Sequence, residues 1–212
     1  MKVLLINGSP RKNGCTSVAL AEVAKSLESH GIATEAAWIG NDPVRGCQAC
    51  RTCAQKGARR CVFDDDVVNR LIEKAEAADG IIIGSPVYYA GVNGALIAAL
   101  DRMFYAGGAA FAFKPAAGIA SARRAGTTPT IDQLNKYFLI SRMPIVPSNY
   151  WPMVHGSLPE DVTQDAEGLQ IMRVLGQNMA WMLHCIEAGR AAGIEAPQTE
   201  QKVFTNFIRP LS

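Results

Sequence analysis

The chain has 212 residues, enough for one domain with its own buried core. Its 21 lysines and arginines nearly balance its 19 aspartates and glutamates, which leaves a net charge of +2. This balance excludes a protein that binds nucleic acid or a membrane surface through a strong basic excess, and 49% hydrophobic residues exclude a disordered chain.

Short apolar runs alternate with longer segments of helical period. The runs typical of buried strands cover residues 3–6, 34–39, 80–83, 116–120 and 144–147. The helical patterns that follow them begin at Val18, Val68, Leu96, Ile131 and Leu169. This alternation predicts one doubly wound α/β domain over residues 1–212, with a five-stranded parallel sheet and helices on both of its faces. Ligands of such sheets bind beyond the carboxyl ends of the strands, so we expect the functional residues in the loops there.

We expect no targeting signal at the beginning of the chain. The first apolar run is far shorter than the hydrophobic region of a signal peptide, and no stretch approaches the roughly 18 consecutive apolar residues of a membrane-spanning helix. We therefore expect a cytoplasmic protein with no membrane partner. Thiols are reduced in that compartment, so close-set cysteines there indicate metal binding or redox chemistry rather than disulfides.

The loop after the first strand, residues 7–17, is rich in groups that bind anions. Ser9, Thr16 and Ser17 supply hydroxyl donors, Arg11 can close over an anion, and the helix that follows presents free backbone N–H groups. The loop has neither the Gly-Lys-Ser/Thr of a P-loop nor the Gly-x-Gly-x-x-Gly of a dinucleotide site. It predicts a phosphate site of another kind. The alternative is an ordinary turn in which Thr16 or Ser17 caps the helix.

The loop after the third strand, residues 84–91, offers a surface to a flat ligand. Pro86 stiffens the exit from the strand, and Tyr88 and Tyr89 follow it. Aromatic side chains in such a loop can stack on a planar ring. The alternative is that the two tyrosines only cover the core.

Together the two loops resemble those of the NAD(P)H-dependent FMN reductase family of flavodoxin-like proteins. The residues that carry the resemblance are Gly8-Ser9-Pro10-Arg11, Asn13, Thr16-Ser17, Gly84-Ser85-Pro86-Val87-Tyr88-Tyr89 and Ala99-Leu100-Asp101-Arg102. The resemblance extends from the first strand to at least Gly156. It implies a flavodoxin-like sheet, of strand order 2-1-3-4-5, that binds FMN with its phosphate in the first loop and its isoalloxazine ring against the second.

The resemblance also implies which residues hold the cofactor. The phosphate is expected to bind Ser9, Arg11, Asn13, Thr16 and Ser17, with Cys15 contributing only its backbone. The ring is expected to lie against Pro86, Val87, Tyr88 and Tyr89. A third wall is expected after the fourth strand from Ser121 and Arg123, with Arg124 as the alternative to Arg123, unless this segment is only a solvated basic loop.

Four cysteines lie in an insertion that covers about residues 40–63. Cys47, Cys50 and Cys53 are separated by two residues each, and Cys61 follows after seven more. This spacing is typical of thiolates that share one metal centre, an iron–sulfur cluster or a zinc ion. Among flavodoxin-like proteins the motif resembles that of the iron–sulfur flavoproteins, which implies a [4Fe–4S] cluster near the FMN. The stretch before Cys61 is longer and more basic than in that motif, so free or redox-labile thiols remain an alternative.

The function implied is an FMN-dependent oxidoreductase. NAD(P)H would pass a hydride to flavin N5, and the two electrons would leave to a small-molecule acceptor: a quinone, a nitro or azo compound, or free flavin. The cofactor performs this chemistry, so we predict no catalytic residue. One alternative is an iron–sulfur flavoprotein electron carrier that takes electrons from ferredoxin. Another is a non-catalytic flavin-binding regulatory module. The resemblance also implies a homodimer or homotetramer.

Overall fold

The computed structural model of the protein describes residues 1–56, 59–201 and 203. Its strands are β1 (Lys2–Asn7), β2 (Ala33–Trp38), β3 (Gly80–Tyr88), β4 (Gly91–Val92), β5 (Ala116–Ala122) and β6 (Met153–His155). Its helices are α1 (Cys15–Ser29), α2 (Thr52–Lys56), α3 (Val68–Ala77), α4 (Gly94–Gly107), α5 (Thr127–Ile140), α6 (Pro159–Gln164) and α7 (Ala166–Ala191). A 3₁₀ turn, Gly108–Phe111, follows α4.

The strands form one sheet in the order β2-β1-β3-β5-β6, and every neighbouring pair along this path is parallel. Apart from one added strand, the five parallel strands follow the predicted order, and the doubly wound flavodoxin-like fold class is confirmed. The short β4 was not predicted. It pairs antiparallel with the end of β3 and forms a hairpin at the carboxyl edge of the sheet.

The fifth parallel strand lies later in the chain than predicted. Residues 144–147 make only one bridge, between Ala116 and Ile145, and the strand itself is β6. Proline has no backbone N–H, so Pro147 and Pro152 cannot continue a ladder of hydrogen bonds. The chain therefore leaves the sheet after Val146, whose N–H donates to Ala116 O, and returns where Pro152 O accepts from Ala120 N.

Alternate residues of the central strands point to opposite faces of the sheet, and both faces are covered. On one face Leu4 and Ile6 of β1 pack with α3, α4 and α5. On the other face Val3 and Leu5 pack with α1 and α7. Helices on both faces explain why these strands read as continuous apolar runs.

Two further features concern the helices and the cysteines. No helix in the described ranges combines the length and the apolar character needed to cross a membrane. Cys185, which the apolar pattern of the last helix places in the core, is exposed. It follows the buried Leu183 by two residues, and two residues are about 200° of helical rotation, so the side chain faces away from the sheet.

Candidate functional site

A cleft of about 290 Å³ lies at the carboxyl edge of the sheet, beyond β1, β3, β5 and β6. Its lining comes from four segments that the sheet brings together: Ser9, Arg11, Gly14, Cys15, Thr16, Pro86, Val87, Tyr88, Ser121, Ala122, Arg123, Gly156 and Ser157. The three loops expected from the sequence therefore meet at one place. The fourth segment, Gly156 and Ser157, follows β6 and was not among the residues expected to hold the cofactor.

The first loop is held in shape by Asn7, the last residue of β1. Its Oδ1 accepts from Ser9 N at 3.0 Å, and its Nδ2 donates to Lys12 O at 3.1 Å. Ser9 Oγ then accepts from Arg11 N at 3.1 Å. Gly8 allows the loop to approach α4, because a Cβ at Gly8 would lie 2.3 Å from a methyl carbon of Leu96. The loop is thus fixed before any ligand binds.

Helix α1 begins at this loop with free donors. Its N-cap, Gly14, has no side chain to cap the helix, and no acidic residue lies in the first turn. Among the described residues the N–H groups of Cys15 and Thr16 have no acceptor. Free N–H groups and the positive end of the helix dipole attract an anion.

Two buried hydroxyls join the first loop to the third. Thr16 Oγ1 and Ser121 Oγ lie 2.8 Å apart, with either one as the donor. Since they share one hydrogen bond, the pair keeps a second proton for a ligand oxygen. One hydroxyl group from α1 and one from β5 therefore converge at the start of α1.

The charge of the cleft lining is positive. Arg11 and Arg123 are exposed residues that line it, and none of the described residues that line it is an aspartate or a glutamate. Cys15 adds no charge, because burial raises the pKa of its thiol, whose Sγ lies 3.6 Å from Gly156 O. An anionic ligand is thus favoured over a cationic one.

The second loop turns at a strained hairpin. Tyr89 and Ala90, which join β3 to β4, have φ values of 49° and 57°. Gly126, with φ 96°, lies against this turn, because a Cβ there would be 2.8 Å from the Ala90 Cα. Gln133 Oε1 on α5 accepts from Val92 N at 3.0 Å. The hairpin is therefore held against the amino-terminal half of α5.

Three of the residues expected at the cofactor do not line the cleft. Tyr89 is fully exposed at the tip of the hairpin. Ser17 donates its hydroxyl to Gly14 O at 2.7 Å, so it braces the first turn of α1. Asn13 is exposed in the loop. Asn7 was missed, although an asparagine that ends a buried apolar strand is a signal for a structured loop.

A second, smaller pocket lies beside α4 and contains all four clustered cysteines. Cys47, Cys50, Cys53 and Cys61 line a space of about 20 Å³ together with Phe63, Arg102 and Tyr105. All four thiols are free, and Cys47 and Cys50 are exposed. In the described part of the chain no three metal-binding side chains are already placed around a single ion. The cysteines share a pocket without forming a finished ligand sphere.

Cys61 is the most firmly held of the four. Asn69 Oδ1 accepts from Cys61 N at 2.8 Å, and Asn69 Nδ2 donates to Cys61 O at 3.0 Å. Around Cys50, by contrast, Ala49 and Arg51 adopt φ values of 52° and 59°. Such values are unusual for residues other than glycine and cluster at functional sites.

The thiols of this pocket differ in acidity. A hydrogen bond from the Thr52 hydroxyl, with a second from the Thr52 backbone, lowers the pKa of Cys50. Burial raises the pKa of Cys53, and the neighbouring Cys61 and Cys50 add to the effect. The three thiols are therefore close enough to influence one another.

A flavodoxin-like sheet with an anion-binding cleft at its carboxyl edge defines the class, a flavin-binding α/β protein. The family model of the NADPH-dependent FMN reductases matches residues 1–157, so the chain belongs to that family. It is an FMN-binding oxidoreductase, and NAD(P)H is the co-substrate of the family.

Individual relatives agree with this assignment. The iron–sulfur flavoprotein MJ1083 of Methanocaldococcus jannaschii is 33% identical over 88% of this chain and 100% of its own length. The iron–sulfur flavoprotein of Methanosarcina thermophila is 32% identical over 90% of this chain and 99% of its own. The structure of an archaeal flavodoxin shares the fold at a TM-score of 0.60, with 14% identity over 87% of this chain and 99% of that one.

Proposed function

We propose that the protein is an FMN-dependent oxidoreductase with a second redox centre, an iron–sulfur cluster on Cys47, Cys50, Cys53 and Cys61. When bound, FMN exchanges a hydride with NAD(P)H at N5, and a [4Fe–4S] cluster accepts and releases single electrons. The observation that carries the proposal is that all four cysteines line one pocket against α4. The similarity to two iron–sulfur flavoproteins over nearly their whole length supports it.

The cleft fits the phosphate end of FMN. The N–H groups of Cys15 and Thr16 and the hydroxyls of Ser9, Thr16 and Ser121 supply neutral donors, and Arg11 supplies a cation. A phosphate group prefers this combination of a helix N-terminus with charge-assisted hydrogen bonds. Asn13 and Ser17 are left with an indirect role, in shaping the loop.

The other end of the cleft fits a flat ring. Pro86, Val87 and Tyr88 line it beside the hairpin, and Arg123 lines the same cleft from the loop after β5. We assign the ring to the first three residues, and to Arg123 the stabilisation of negative charge on the reduced ring. None of the described lining residues is a histidine, lysine or carboxylate, so no acid or base is assigned.

The cysteine pocket fits a cluster by the chemistry of its donors. Thiolates are the usual ligands of iron–sulfur clusters, and the pocket offers four of them. Cys61 is fixed by Asn69, whereas Cys47 and Cys50 lie on an exposed segment without strands. We expect the exposed thiols to close on a cluster that Cys61 helps to anchor.

Iron and acid-labile sulfide analysis of anaerobically purified protein tests the cluster directly. We expect the absorbance of the flavin to be superimposed on a broad absorbance at the blue end of the visible spectrum. Dithionite should bleach this broad absorbance. Cys50→Ser should lose iron and sulfide and keep FMN. Cys185→Ser, which removes an exposed thiol on α7, is the matched control and should keep all three. A yellow protein that binds no iron or sulfide even after anaerobic reconstitution would contradict the cluster.

A reductase that works without a cluster is the second candidate, favoured by the open cleft in which Tyr88 stays half exposed. The electron pair would then go directly to a quinone, a nitro or azo compound, or free flavin. Oxidation of NAD(P)H with menadione as the acceptor distinguishes the two. Cys50→Ser keeps full turnover if the cluster is not on the path and loses it if it is. A complete lack of turnover with every acceptor would favour a regulatory flavin-binding module.

We also propose the macromolecular partners. Ferredoxin suits a one-electron centre in the cytoplasm. A second copy of the chain suits Tyr150 and Trp151, two exposed aromatic residues whose ring centroids lie 4.7 Å apart. Light scattering should give the mass of a homodimer or homotetramer. Trp151→Ser should reduce that mass if these residues form the interface, and a monomeric wild type would contradict it.

A further inference from the structure

A fully buried arginine lies directly behind the cysteine pocket. Arg102 of α4 is 2% exposed and is the largest side chain in the buried interior of the described residues. Arginine is almost never buried unless its donors are all used, since the loss of hydration is costly. Its partners therefore indicate why it is there.

Those partners all belong to the cysteine segment or its flank. Nε donates to Cys61 Sγ at 3.2 Å. Nη1 donates to Arg45 O at 3.1 Å and forms a buried ion pair with Asp66. Nη2 donates to Phe63 O at 2.9 Å. One guanidinium thus holds the chain on both sides of the four cysteines and contacts one of the sulfurs.

We propose that Arg102 is a positioning residue for the second redox centre and raises the reduction potential of the cluster through its hydrogen bond to Cys61 Sγ. This inference rests on the proposed cluster, and it adds a role for a residue outside the ligand set. The guanidinium contacts the cluster through Cys61 and is not itself a ligand.

The physical reason is the charge that reduction adds. One electron from the reductant makes the iron, the sulfide and the thiolate sulfurs more negative, and no atom is transferred. A buried cation that donates a hydrogen bond to one of those sulfurs stabilises the reduced form more than the oxidised form. Asp66 acts in the opposite direction, because its negative charge lies against the same guanidinium. The reduction potential of the cluster therefore depends on both members of the ion pair: Arg102 raises it, and Asp66 lowers it.

Lysine cannot take the place of this arginine. A lysine keeps the charge but has no Nε–H fork that can reach Cys61, Phe63 O and Arg45 O together. Arg102→Lys therefore removes the hydrogen bond to sulfur and leaves Asp66 with a cationic neighbour. Asp66→Asn has the reverse effect, because the bond to sulfur stays and the opposing negative charge is removed.

The test is a redox titration of the reconstituted protein, in which the cluster is followed by its electron paramagnetic resonance signal and FMN by absorbance. We expect Arg102→Lys to lower the equilibrium constant for reduction of the cluster at least tenfold. This corresponds to a reduction potential lower by about 59 mV for a one-electron couple. Asp66→Asn should shift the cluster potential upward. The FMN potential should stay unchanged in both variants. Opposite shifts are the signature, since a merely structural role would not produce them.

The control is Arg45→Gln. Arg45 lies over the Phe63 ring with its Cζ 4.6 Å from the centroid, but it is solvent-exposed and pairs with Asp65 at the surface. Arg45→Gln removes a positive charge like that of Arg102, but the Arg45 side chain does not touch a sulfur and water screens its charge. We expect no shift of the cluster potential.

Iron and sulfide content separates the outcomes. A wild type that binds no cluster overturns the proposed function together with this role. A loaded Arg102→Lys with the wild-type potential overturns the role of Arg102 alone. If Arg102→Lys does not load, Asp66→Asn decides: a higher potential supports the role, and an unchanged or lower potential overturns it.

Discussion

Arg11 and Lys12 are adjacent cations of the first loop with different surroundings. Arg11 lines the cleft at the start of α1, whereas the Lys12 ammonium lies 5.9 Å from the centre of the Trp38 ring. A cation contributes to phosphate binding when it can reach the phosphate oxygens. Only one of the two is placed to do so.

For Arg11→Gln we expect FMN to bind roughly 3- to 10-fold more weakly, because the lost hydrogen bond is charge-assisted but exposed to solvent. Fluorescence titration of the FMN-free protein measures the change. Lys12→Gln removes the same charge and is the control, for which the affinity should stay within about twofold. Equal losses in both variants would mean that the loop acts only through its overall charge.

The thiols of the cysteine pocket should also differ in reactivity. In cluster-free protein we expect Cys50 to be alkylated at lower pH than Cys53, since the thiolate is the reactive form and the Thr52 hydroxyl lowers the pKa of Cys50. Mass spectrometry of each peptide after a short iodoacetamide pulse gives the two pH profiles. Thr52→Val should move the Cys50 profile to higher pH and leave that of Cys53 in place. Coincident profiles in the wild type would contradict the assignment.

At the residue scale, the hydrogen-bond donors of the cleft are easier to predict from the sequence than the contacts that fix their positions. Ser9, Arg11 and Thr16 were predictable because hydroxyls, a cation and a helix start follow a strand. Asn7 and Gly156 were not, since their roles depend on contacts that form only after folding. Asn7 bonds across its own loop, and Gly156 O lies against the Cys15 thiol from a segment far along the chain.

At the element scale, the β3–β4 hairpin is the most strained connection near the cleft. A two-residue turn with positive φ at both positions usually contains asparagine and glycine, but here it is Tyr89-Ala90. We expect Ala90→Gly to raise the free energy of unfolding by roughly 0.5–1 kcal/mol, because glycine adopts this backbone without strain. Urea denaturation measures it.

The matched control is the same change in a right-handed helix. Ala188 is an exposed residue of α7, and Ala188→Gly should lower the free energy of unfolding by up to about 1 kcal/mol. A fall in both variants would show that the hairpin turn is not strained. A gain only at Ala90 would identify strain held at the rim of the cleft, where Val87 and Tyr88 enter the lining.

The elements themselves were largely predictable, and the misplacement of the fifth strand has a local cause. The strands β1, β3 and β5 stand out because they are apolar on both faces, and helices on both sides of a parallel sheet require that. The edge strand β2 gives a weaker signal, because it is only partly buried. The predicted position of the fifth strand was wrong, because residues 144–147 are as apolar as a strand, whereas the pairing depends on the prolines at 147 and 152. The apolar pattern alone does not reveal where a ladder loses its N–H donors.

At the scale of the whole molecule, none of the four cysteines of the pocket belongs to the two apolar clusters that cover the sheet, although Ala106 of the same pocket packs against one of them. We therefore expect chelation of iron to leave the fold intact, unlike a zinc finger that unfolds without its metal. Circular dichroism should show native helix content, FMN should stay bound, and Tm should fall by no more than roughly 5 °C. Cooperative unfolding on chelation would contradict this separation.

Arg102 holds the chain at Arg45 and again at Phe63, so the span that contains the cysteines is a loop with both ends tied. The closure entropy of such a loop rises only with the logarithm of its length, by about 0.6 kcal/mol for each doubling. Residues can thus be inserted or deleted between Cys53 and Cys61 at little cost to folding. Evolution is free to vary that spacing while the anchored cysteine stays where it is.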